Sequence, residues 1–214
     1  DNRWRRETRL PEQACSSLAR TDDGALLLGY ADGTLRRLHG GTVNTFGAAE
    51  GLSVGPVTAL LQHKDLQLVA GEAGLAARSG NGRFLPVRTD MAGVLEGITG
   101  MVADANGLLW LNGSRGLVRL QVATLRSALR NDQAIAPRLF DAVDGMPGIA
   151  LQSGPIPTAV LAADGLLWLA TNQGLAWLDT RQSHINTMAP GVRIGDVLYG
   201  STQAPLQEGL RLPA

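Results

Sequence analysis

Four polar residues at equivalent places along the chain are the side chains best suited to hold a ligand. Asp32, Glu72, Arg115 and Asn172 each stand one or two residues before a glycine. Two carboxylates, a guanidinium and an amide supply the charges, donors and acceptors that orient a polar ligand such as a sugar or a peptide. The same residue types are also ordinary in solvated turns, and the sequence leaves both interpretations open.

Signatures of catalysis or of a bound cofactor are weak in this sequence. His39, His63 and His184 stand singly, so no two have the close spacing of a zinc-binding pair. No Gly-x-Ser-x-Gly elbow precedes a predicted helix, and no Walker-type phosphate loop occurs. We therefore predict no catalytic residue, no metal and no cofactor in this segment.

A unit that recurs four times along the chain positions the polar residues. Residues 164–178 read DGLLWLATNQGLAWL, residues 106–120 read NGLLWLNGSRGLVRL, and fainter copies occupy 23–38 and 66–78. The second half of each unit opens with a glycine, at Gly33, Gly74, Gly116 and Gly174. These glycines are 41, 42 and 58 residues apart, and repeats of about 40–45 residues built of short strands are typical of β-propeller blades.

Each unit predicts the strands of one blade. In three units an Asp-Gly or Asn-Gly turn precedes one apolar run, a second turn follows, and then comes another apolar run. The second unit has Lys64-Asp65-Leu66 in place of the first turn. The long last interval contains Val122, Leu125 and Leu129 at helical spacing, which predicts a short helix near residues 122–130. This helix either covers the edge of one blade or docks a partner. The predicted fold is all-β, with about four propeller blades.

Composition and charge narrow the classes of partner. The chain carries 19 basic and 19 acidic residues and has zero net charge, so no global field favours nucleic acid. It holds no apolar run of about 20 residues, so we expect any contact with a membrane to come through parts of a parent chain outside this segment. The lone Cys15 cannot form an intrachain disulfide.

The units resemble the repeats of the two-component regulator propeller family. That family's pattern is an Asp/Asn-Gly turn, an aliphatic-Trp-aliphatic strand, a Thr-x-x-Gly turn and a second strand beginning with Leu. Residues 164–175 match it at Asp164, Gly165, Leu167, Trp168, Thr171, Gly174 and Leu175. Residues 106–117 match as well, except that Gly113 replaces the threonine. In this family an Asp/Glu-Gly-Leu/Met signal precedes each new blade, and Glu50-Gly51-Leu52 and Asp144-Gly145-Met146 resemble it. The resemblance to the family covers roughly residues 11–180.

The resemblance implies a domain organisation for this chain. Residues 1–10 would end a preceding blade or form a tail, and residues 11–189 would form propeller blades. Residues 190–214 would begin the β-sandwich, known for three tyrosines, that follows the propeller in this family. A seven-bladed ring at about 42 residues a blade needs about 290 residues. The chain is therefore predicted to be a fragment of a longer polypeptide.

The resemblance also implies a function. Propellers of this family are similar to the periplasmic sensor regions of membrane histidine kinases. Such a sensor region is not catalytic itself. A sensor region of a diguanylate cyclase and a free-standing interaction propeller are alternatives, and a propeller lyase or hydrolase is a less favoured one. The expected partner is a small polar ligand or a periplasmic protein. We also expect self-association, because an open set of blades exposes unpaired faces.

Overall fold

The structure is a computed structural model. It describes residues 3–153 and 157–182 in full, and the strands at 196–199 and 202–205 by their backbone. The chain divides into two compact units, Asp1–Gln182 and Ser183–Ala214. The first unit contains four antiparallel sheets in succession, and the second contains a two-stranded hairpin.

Three sheets have four strands each, in which every strand pairs with the next one along the chain. The first comprises β1 (Cys15–Arg20), β2 (Leu26–Tyr30), β3 (Leu35–His39) and β4 (Thr42–Phe46). The second comprises β5 (Val57–His63), β6 (Leu66–Gly71), β7 (Gly74–Ser79) and β8 (Leu85–Pro86). The third comprises β9 (Gly100–Ala103), β10 (Leu108–Gly113), β11 (Gly116–Gln121) and β12 (Arg138–Phe140).

The fourth sheet contains three strands among the described residues, β13 (Ala159–Leu161), β14 (Leu166–Thr171) and β15 (Gly174–Asp179). The hairpin of the second unit pairs β16 (Asp196–Tyr199) with β17 (Thr202–Pro205). We call the four sheets of the first unit blades 1 to 4. They confirm the predicted all-β propeller architecture, whereas the predicted domain boundaries stay predictions because residues 183–195 lie outside the described part of the chain.

The turns follow the predicted chemistry. Gly107 and Gly165, which precede β10 and β14, have φ of +76° and +85°. Residues with a Cβ rarely adopt this left-handed region, so glycine is needed there. Gly51 and Gly145, in the predicted blade-opening segments, likewise have φ of +86° and +87° and each ends a single 3₁₀ turn. The repeated glycines therefore hold the chain reversals between strands and between blades.

The insertion in blade 3 is a helix, as predicted. α1 (Val122–Asn131) lies between β11 and β12, with Val122, Leu125 and Ala128 buried in the core shared by blades 2 and 3. Arg126 on its other face forms an ion pair with Asp65 of blade 2, at 2.6 Å. These contacts show that α1 covers the edge of blades 2 and 3. No helix among the described residues is long and apolar enough to cross a membrane.

The first strands of neighbouring blades lie side by side, β1 with β5, β5 with β9, and β9 with β13. Hydroxyl groups join them: Ser16 Oγ donates to the Val57 carbonyl at 2.6 Å, and Thr58 Oγ1 donates to the Ile98 carbonyl at 2.5 Å. Thr99 and Thr158 continue the series with their hydroxyl oxygens 2.9 Å apart. The first strands are therefore the innermost strands of the blades, nearest the propeller axis.

Candidate functional site

The four polar residues singled out in the sequence lie in equivalent turns. Asp32, Glu72, Arg115 and Asn172 each occupy the connection between the second and third strand of their blade. Because the strands alternate in direction, these turns lie at the same end of the blades as the connections from one blade to the next. The structure thus places all four at one end, one in each blade. None of them lines any of the four cavities described below.

Two of the four use their polar groups to hold the backbone. The Asp32 carboxylate accepts hydrogen bonds from Thr34 Oγ1 at 2.6 Å and Thr34 N at 2.9 Å, and the hydroxyl bond is the main reason why its pKa is lowered. Asn172 Oδ1 accepts from Ile149 N at 3.1 Å, in the connection that leads into blade 4. The side chains of Glu72 and Arg115 are exposed. A ligand-binding role for the four residues stays a prediction.

A cavity of about 450 Å³ lies between blades 1 and 2. Blade 1 contributes the β1–β2 turn and side chains of β3 and β4, and blade 2 contributes its β5–β6 turn and the segment after β7. The β1–β2 turn and the β5–β6 turn lie at the end of the blades opposite to the four predicted residues. We call this cavity the interblade cleft; it is lined by Thr21, Asp22, Asp23, Arg37, Asn44, Phe46, Gln62, Lys64, Asp65, Gln67, Arg78, Gly80 and Asn81.

On the blade 1 side of the interblade cleft, Asp23 organises the turn. Its carboxylate accepts a hydrogen bond from Thr21 Oγ1 and forms an ion pair with Arg37. The Thr21 hydroxyl is the main cause of a lowered pKa at Asp23, so the carboxylate is charged at neutral pH. Because Asp23 already neutralises Arg37, this pair adds polarity to the cleft with little net charge.

On the blade 2 side, Arg78 is a buried cation, with 8% of its surface exposed. Its Nε–H donates to Gln67 Oε1 at 2.7 Å, and no Asp or Glu of the described chain forms an ion pair with it. Burial lowers the pKa of the guanidinium, and the nearby charge of Arg37 lowers it further. Arginine nevertheless remains charged, because its ordinary pKa lies far above neutral pH.

Aromatic rings fix the orientation of Arg78. Its guanidinium carbon lies 4.1 Å from the ring centroid of Phe46 and 4.8 Å from that of Phe84. The two rings meet edge to face at 5.9 Å, so they form one aromatic wall from blade 1 and from the segment before β8. The cation–π contacts offset part of the cost of burying the charge.

Three other cavities are smaller. One of about 310 Å³ lies along the innermost strands and is lined by residues such as Ser16, Thr58 and Thr99. One of about 270 Å³ lies between β7 and α1 beside Arg83, Arg126 and Arg130. The last, of about 10 Å³ beside α1, is close to closed. Of the four cavities, the interblade cleft has the largest volume, and it contains the buried charge of Arg78.

Sequence reasoning missed the interblade cleft. Phe46 and Arg78 belong to different repeat units, and nothing in the spacing of a single unit predicts that they touch. One signal was present: Arg78 stands in β7 directly after Leu75, Ala76 and Ala77, which are all buried. A charged residue at the end of a fully apolar run marks a place where the blade face turns polar.

The sequence predicts no metal centre. Among residues 3–153 and 157–182, no group of three or more His, Cys, Asp and Glu side chains is arranged to hold a metal ion. His39 ends β3 and His63 ends β5, in different blades. His184 lies outside the described residues.

No family model matches the sequence, and no curated protein matches it. Solved structures do resemble it. The extracellular domain named as that of a hybrid two component system from B. thetaiotaomicron superposes with a TM-score of 0.67 at 15% identity, covering 91% of this chain and 27% of that one. The extracellular domain named as that of a one component system from the same organism gives a TM-score of 0.64 at 13% identity, covering 79% of this chain and 24% of that one.

A third similar structure is an enzyme. Virginiamycin B lyase from Staphylococcus aureus superposes with a TM-score of 0.52 at 13% identity, covering 81% of this chain and 58% of that one. The chain thus spans about a quarter of the length of the two extracellular domains and rather more than half of the lyase. At these identities the likeness concerns the fold alone. With its four antiparallel sheets in succession, the described chain is a section of a β-propeller.

Proposed function

We propose that this chain is the ligand-recognising propeller section of a signal-sensing protein and acts outside the cytoplasm, in the periplasm. The observation that carries the proposal is the shared fold, over 91% of this chain, with an extracellular domain named as part of a hybrid two component system. The polar interblade cleft supports it, because ligand sites are concave, have a volume of about 300–1,000 Å³ and contain a few oriented polar groups.

The way the blades are joined suggests how binding could be relayed. Blades 1 and 2 meet through an apolar cluster that includes Leu27, Leu35, Val57 and Val69, and through the Ser16–Val57 hydrogen bond at the axis. A ligand that contacts both blades stabilises the arrangement of blades to which it binds best. In this proposal, that shift in population is the signal passed to the rest of the protein.

The output of the sensor belongs to the proposal as well. A histidine kinase is the favoured output domain, as the resemblance in the sequence implies. A diguanylate cyclase output and a free-standing interaction propeller are the alternatives. Each predicts a different sequence beyond this segment, so reading the rest of the gene separates the three.

A ligand screen on the purified 214-residue chain tests recognition. Sugars, short peptides and organic acids are added, and the midpoint of thermal unfolding is followed. A ligand that binds the folded chain raises this midpoint by mass action. We expect a saturable rise with one ligand class, and the ligand is expected to be recovered unchanged when its NMR spectrum is compared before and after incubation.

Conversion of the ligand would contradict a purely sensory role and favour the lyase alternative. The fold shared with virginiamycin B lyase is the specific observation behind that alternative. The segment Gly51–Gly55 has the spacing of a nucleophile elbow, with Ser53 exposed. It leads into strand β5 rather than a helix, which is unlike the strand–turn–helix context that such an elbow requires.

A second test uses the full-length protein in cells. Variants that abolish ligand binding in the purified chain are introduced, and the output activity is measured with and without ligand. We expect output to stop responding to the ligand while the amount of protein stays the same. Output that still responds in a variant unable to bind would remove the sensor proposal.

A further inference from the structure

We propose that the interblade cleft binds an anionic, hydroxyl-rich ligand, a carboxylated sugar, whose carboxylate is held by the guanidinium of Arg78. The inference deepens the proposed function and rests on it, since it names a place and a ligand class for recognition. It assigns the site to the end of the blades opposite to Asp32, Glu72, Arg115 and Asn172.

Arg78 carries a positive charge that the described chain leaves uncompensated. Buried charges in proteins are normally paired or hydrogen-bonded, because removing an ion from water is costly. Arg78 is more than nine-tenths buried, and one of its five N–H groups is used, by Gln67. Its terminal nitrogens are not among the buried polar atoms without a partner, and the side chain lines the interblade cleft as well as the cavity between β7 and α1. Two adjacent N–H groups in this fixed fork match the two oxygens of a carboxylate.

The site around Arg78 is preorganised. The guanidinium carbon lies 4.1 Å from the ring centroid of Phe46 of blade 1 and 4.8 Å from that of Phe84 of blade 2. Gln67 accepts the hydrogen bond from its Nε–H. The ligand would therefore meet a donor whose direction is already set, which lowers the entropic cost of binding. Because Phe46 and Arg78 come from different blades, such a ligand bridges the pair of blades.

The remaining lining supplies partners for hydroxyl groups. Asp23 and Asp65 are paired with Arg37 and Arg126, whereas Asp22 and Lys64 add one exposed charge of each sign. The carboxylates accept hydrogen bonds from hydroxyl groups. The amides of Asn44 and Asn81 can both donate to and accept from a hydroxyl. One buried guanidinium without an acidic partner, in a lining that also offers carboxylates and amides, suits one carboxylate on a polyhydroxylated ring. The volume of about 450 Å³ lies within the range of small-ligand sites.

Calorimetric titration of the whole chain tests the ligand class. The affinities of glucuronate and galacturonate disaccharides are compared with those of the neutral disaccharides of glucose and galactose. Inorganic phosphate is included as an anion that has no sugar hydroxyl groups. We expect binding of a uronate disaccharide and at least about 30-fold weaker binding of its neutral counterpart, because truncating one partner of a buried charge pair typically costs 2 kcal/mol or more. Phosphate bound as tightly as the uronate would overturn the assignment of a carboxylated sugar.

The variant Arg78→Gln tests the anchor. It keeps an amide that can meet Gln67 but removes the charge, and we expect uronate affinity to fall at least about 30-fold. Arg5→Gln is the matched control, because Arg5 is exposed in the segment before blade 1 and lines no part of the cleft. Unchanged uronate affinity in folded Arg78→Gln would overturn the inference.

Two further variants change the charge at the rim of the cleft and leave the buried residues in place. Asn81 and Asp22 are both exposed turn residues. We expect Asn81→Asp to weaken uronate binding and Asp22→Asn to strengthen it, each by up to about fivefold, as for exposed charge pairs. These variants decide the question if Arg78→Gln does not fold, and equal affinity in both would count against the site.

Arg115→Gln separates this inference from the proposed function. If uronate binding is lost in Arg115→Gln and kept in Arg78→Gln, the ligand binds at the opposite end, so the cleft assignment is wrong and recognition stands. If the chain binds no uronate but binds another ligand of the screen, the inference fails and the proposed function again stands. Only a chain that binds nothing, or converts its ligand, fails on both counts.

Discussion

Blades 3 and 4 carry almost the same sequence unit, yet equivalent tryptophans have different surroundings. Trp110 of β10 is fully buried, whereas Trp168 of β14 is half-buried. Each pairs with the residue opposite on the third strand, Arg119 for Trp110 and Trp177 for Trp168. Trp177 is 62% exposed. The shared motif therefore decides where the ring stands in the blade but does not decide its burial.

Two differences account for the contrast. Blade 4 covers the Trp110 face of blade 3, where Trp110 and Leu117 form one cluster with Leu167 and Leu169. Within residues 3–153 and 157–182, no fifth sheet follows blade 4 to cover its equivalent face. Polar anchoring differs as well, because Trp110 Nε1 donates to buried Asp104 at 2.9 Å, whereas Ala162 stands at the equivalent place in blade 4. A repeat motif thus supplies a face that only the next blade can complete.

Trp110→Ala tests the covered face and should give the largest effect. The ring is 0% exposed and stacks on Phe140 at 6.2 Å, so its removal leaves a large cavity between blades 3 and 4. We expect a loss of about 3–5 kcal/mol in the free energy of unfolding, measured by urea denaturation. A loss below 1 kcal/mol would show that the two blades are not held together at this face.

Asp104→Ala tests the polar anchor of the same ring. Asp104 Oδ1 accepts hydrogen bonds from Asn106 N and Leu108 N, both at 2.9 Å, and Oδ2 accepts from the indole. Removing the carboxylate leaves the buried indole N–H and two partly buried backbone N–H groups without this partner, so we expect a loss of about 2–3 kcal/mol. The control is Asp164→Ala in the turn of blade 4, where an exposed carboxylate holds one backbone N–H, that of Leu166, and the loss should be smaller.

Trp168→Ala is the matched variant on the uncovered face. Its ring contacts the exposed Trp177, with centroids 6.4 Å apart, and loses little burial when it is truncated. We expect a loss of about 1 kcal/mol, in the range of a cross-strand pair. A loss equal to that of Trp110→Ala would break the comparison, because it would mean that something covers this face in solution.

The uncovered face also sharpens the expectation of self-association. Val160, Leu175 and Trp177 are 53%, 69% and 62% exposed on neighbouring strands of blade 4. Contiguous apolar patches on soluble proteins mark association sites. We expect the 214-residue chain to form dimers in sedimentation velocity and Trp177→Lys to shift them toward monomer. Even a weak dimer is populated at a protein concentration of about 100 μM. A wild-type chain that is monomeric at this concentration would contradict the expectation.

A small effect is expected at the ionic link between blades 2 and 3. Hydrogen bonds from Arg126 and Ser79 hold the pKa of Asp65 well below its ordinary value of 3.8. Because the folded-state pKa is lowered, the pair stabilises the fold at neutral pH, and this contribution declines as the pH falls below the ordinary pKa. Asp65→Asn should therefore be less stable than wild type at pH 7, with a smaller difference at pH 3. The same difference at both values would exclude the ion pair as its source.

Much of the fold could be predicted because it depends on local chemistry. Asn-Gly and Asp-Gly turns, the alternation of apolar runs and the helical spacing after β11 are each contained within a few residues. The fourth strand of blade 2 is an exception, since it comprises only Leu85–Pro86. Pro86 has no N–H to donate, and Phe84 turns inward to the core of blades 1 and 2.

The interblade cleft could not be predicted because it depends on contacts between units. Phe46 and Arg78 meet across two blades, and the hydroxyls of Ser16 and Thr58 find their acceptors about 41 residues away. The turn positions of Asp32 and Asn172 followed from the repeat, whereas the hydrogen bond from Ile149 N to Asn172 depends on a segment 23 residues away. Sequence periodicity predicts where a side chain stands within a blade and not which side chain of the next blade it touches.

The hydroxyl bonds along the innermost strands make the number of blades easy to change. Ser16 donates to the carbonyl of Val57, and Thr58 donates to that of Ile98. The two acceptor residues, Val57 and Ile98, are 41 residues apart. If gene recombination removed residues 57–97, Ile98 would take the place of Val57, and Ser16 would meet an equivalent carbonyl. Whole blades can therefore be lost or duplicated with the axial bonds preserved, which is a route by which propellers of different size can arise from one ancestor.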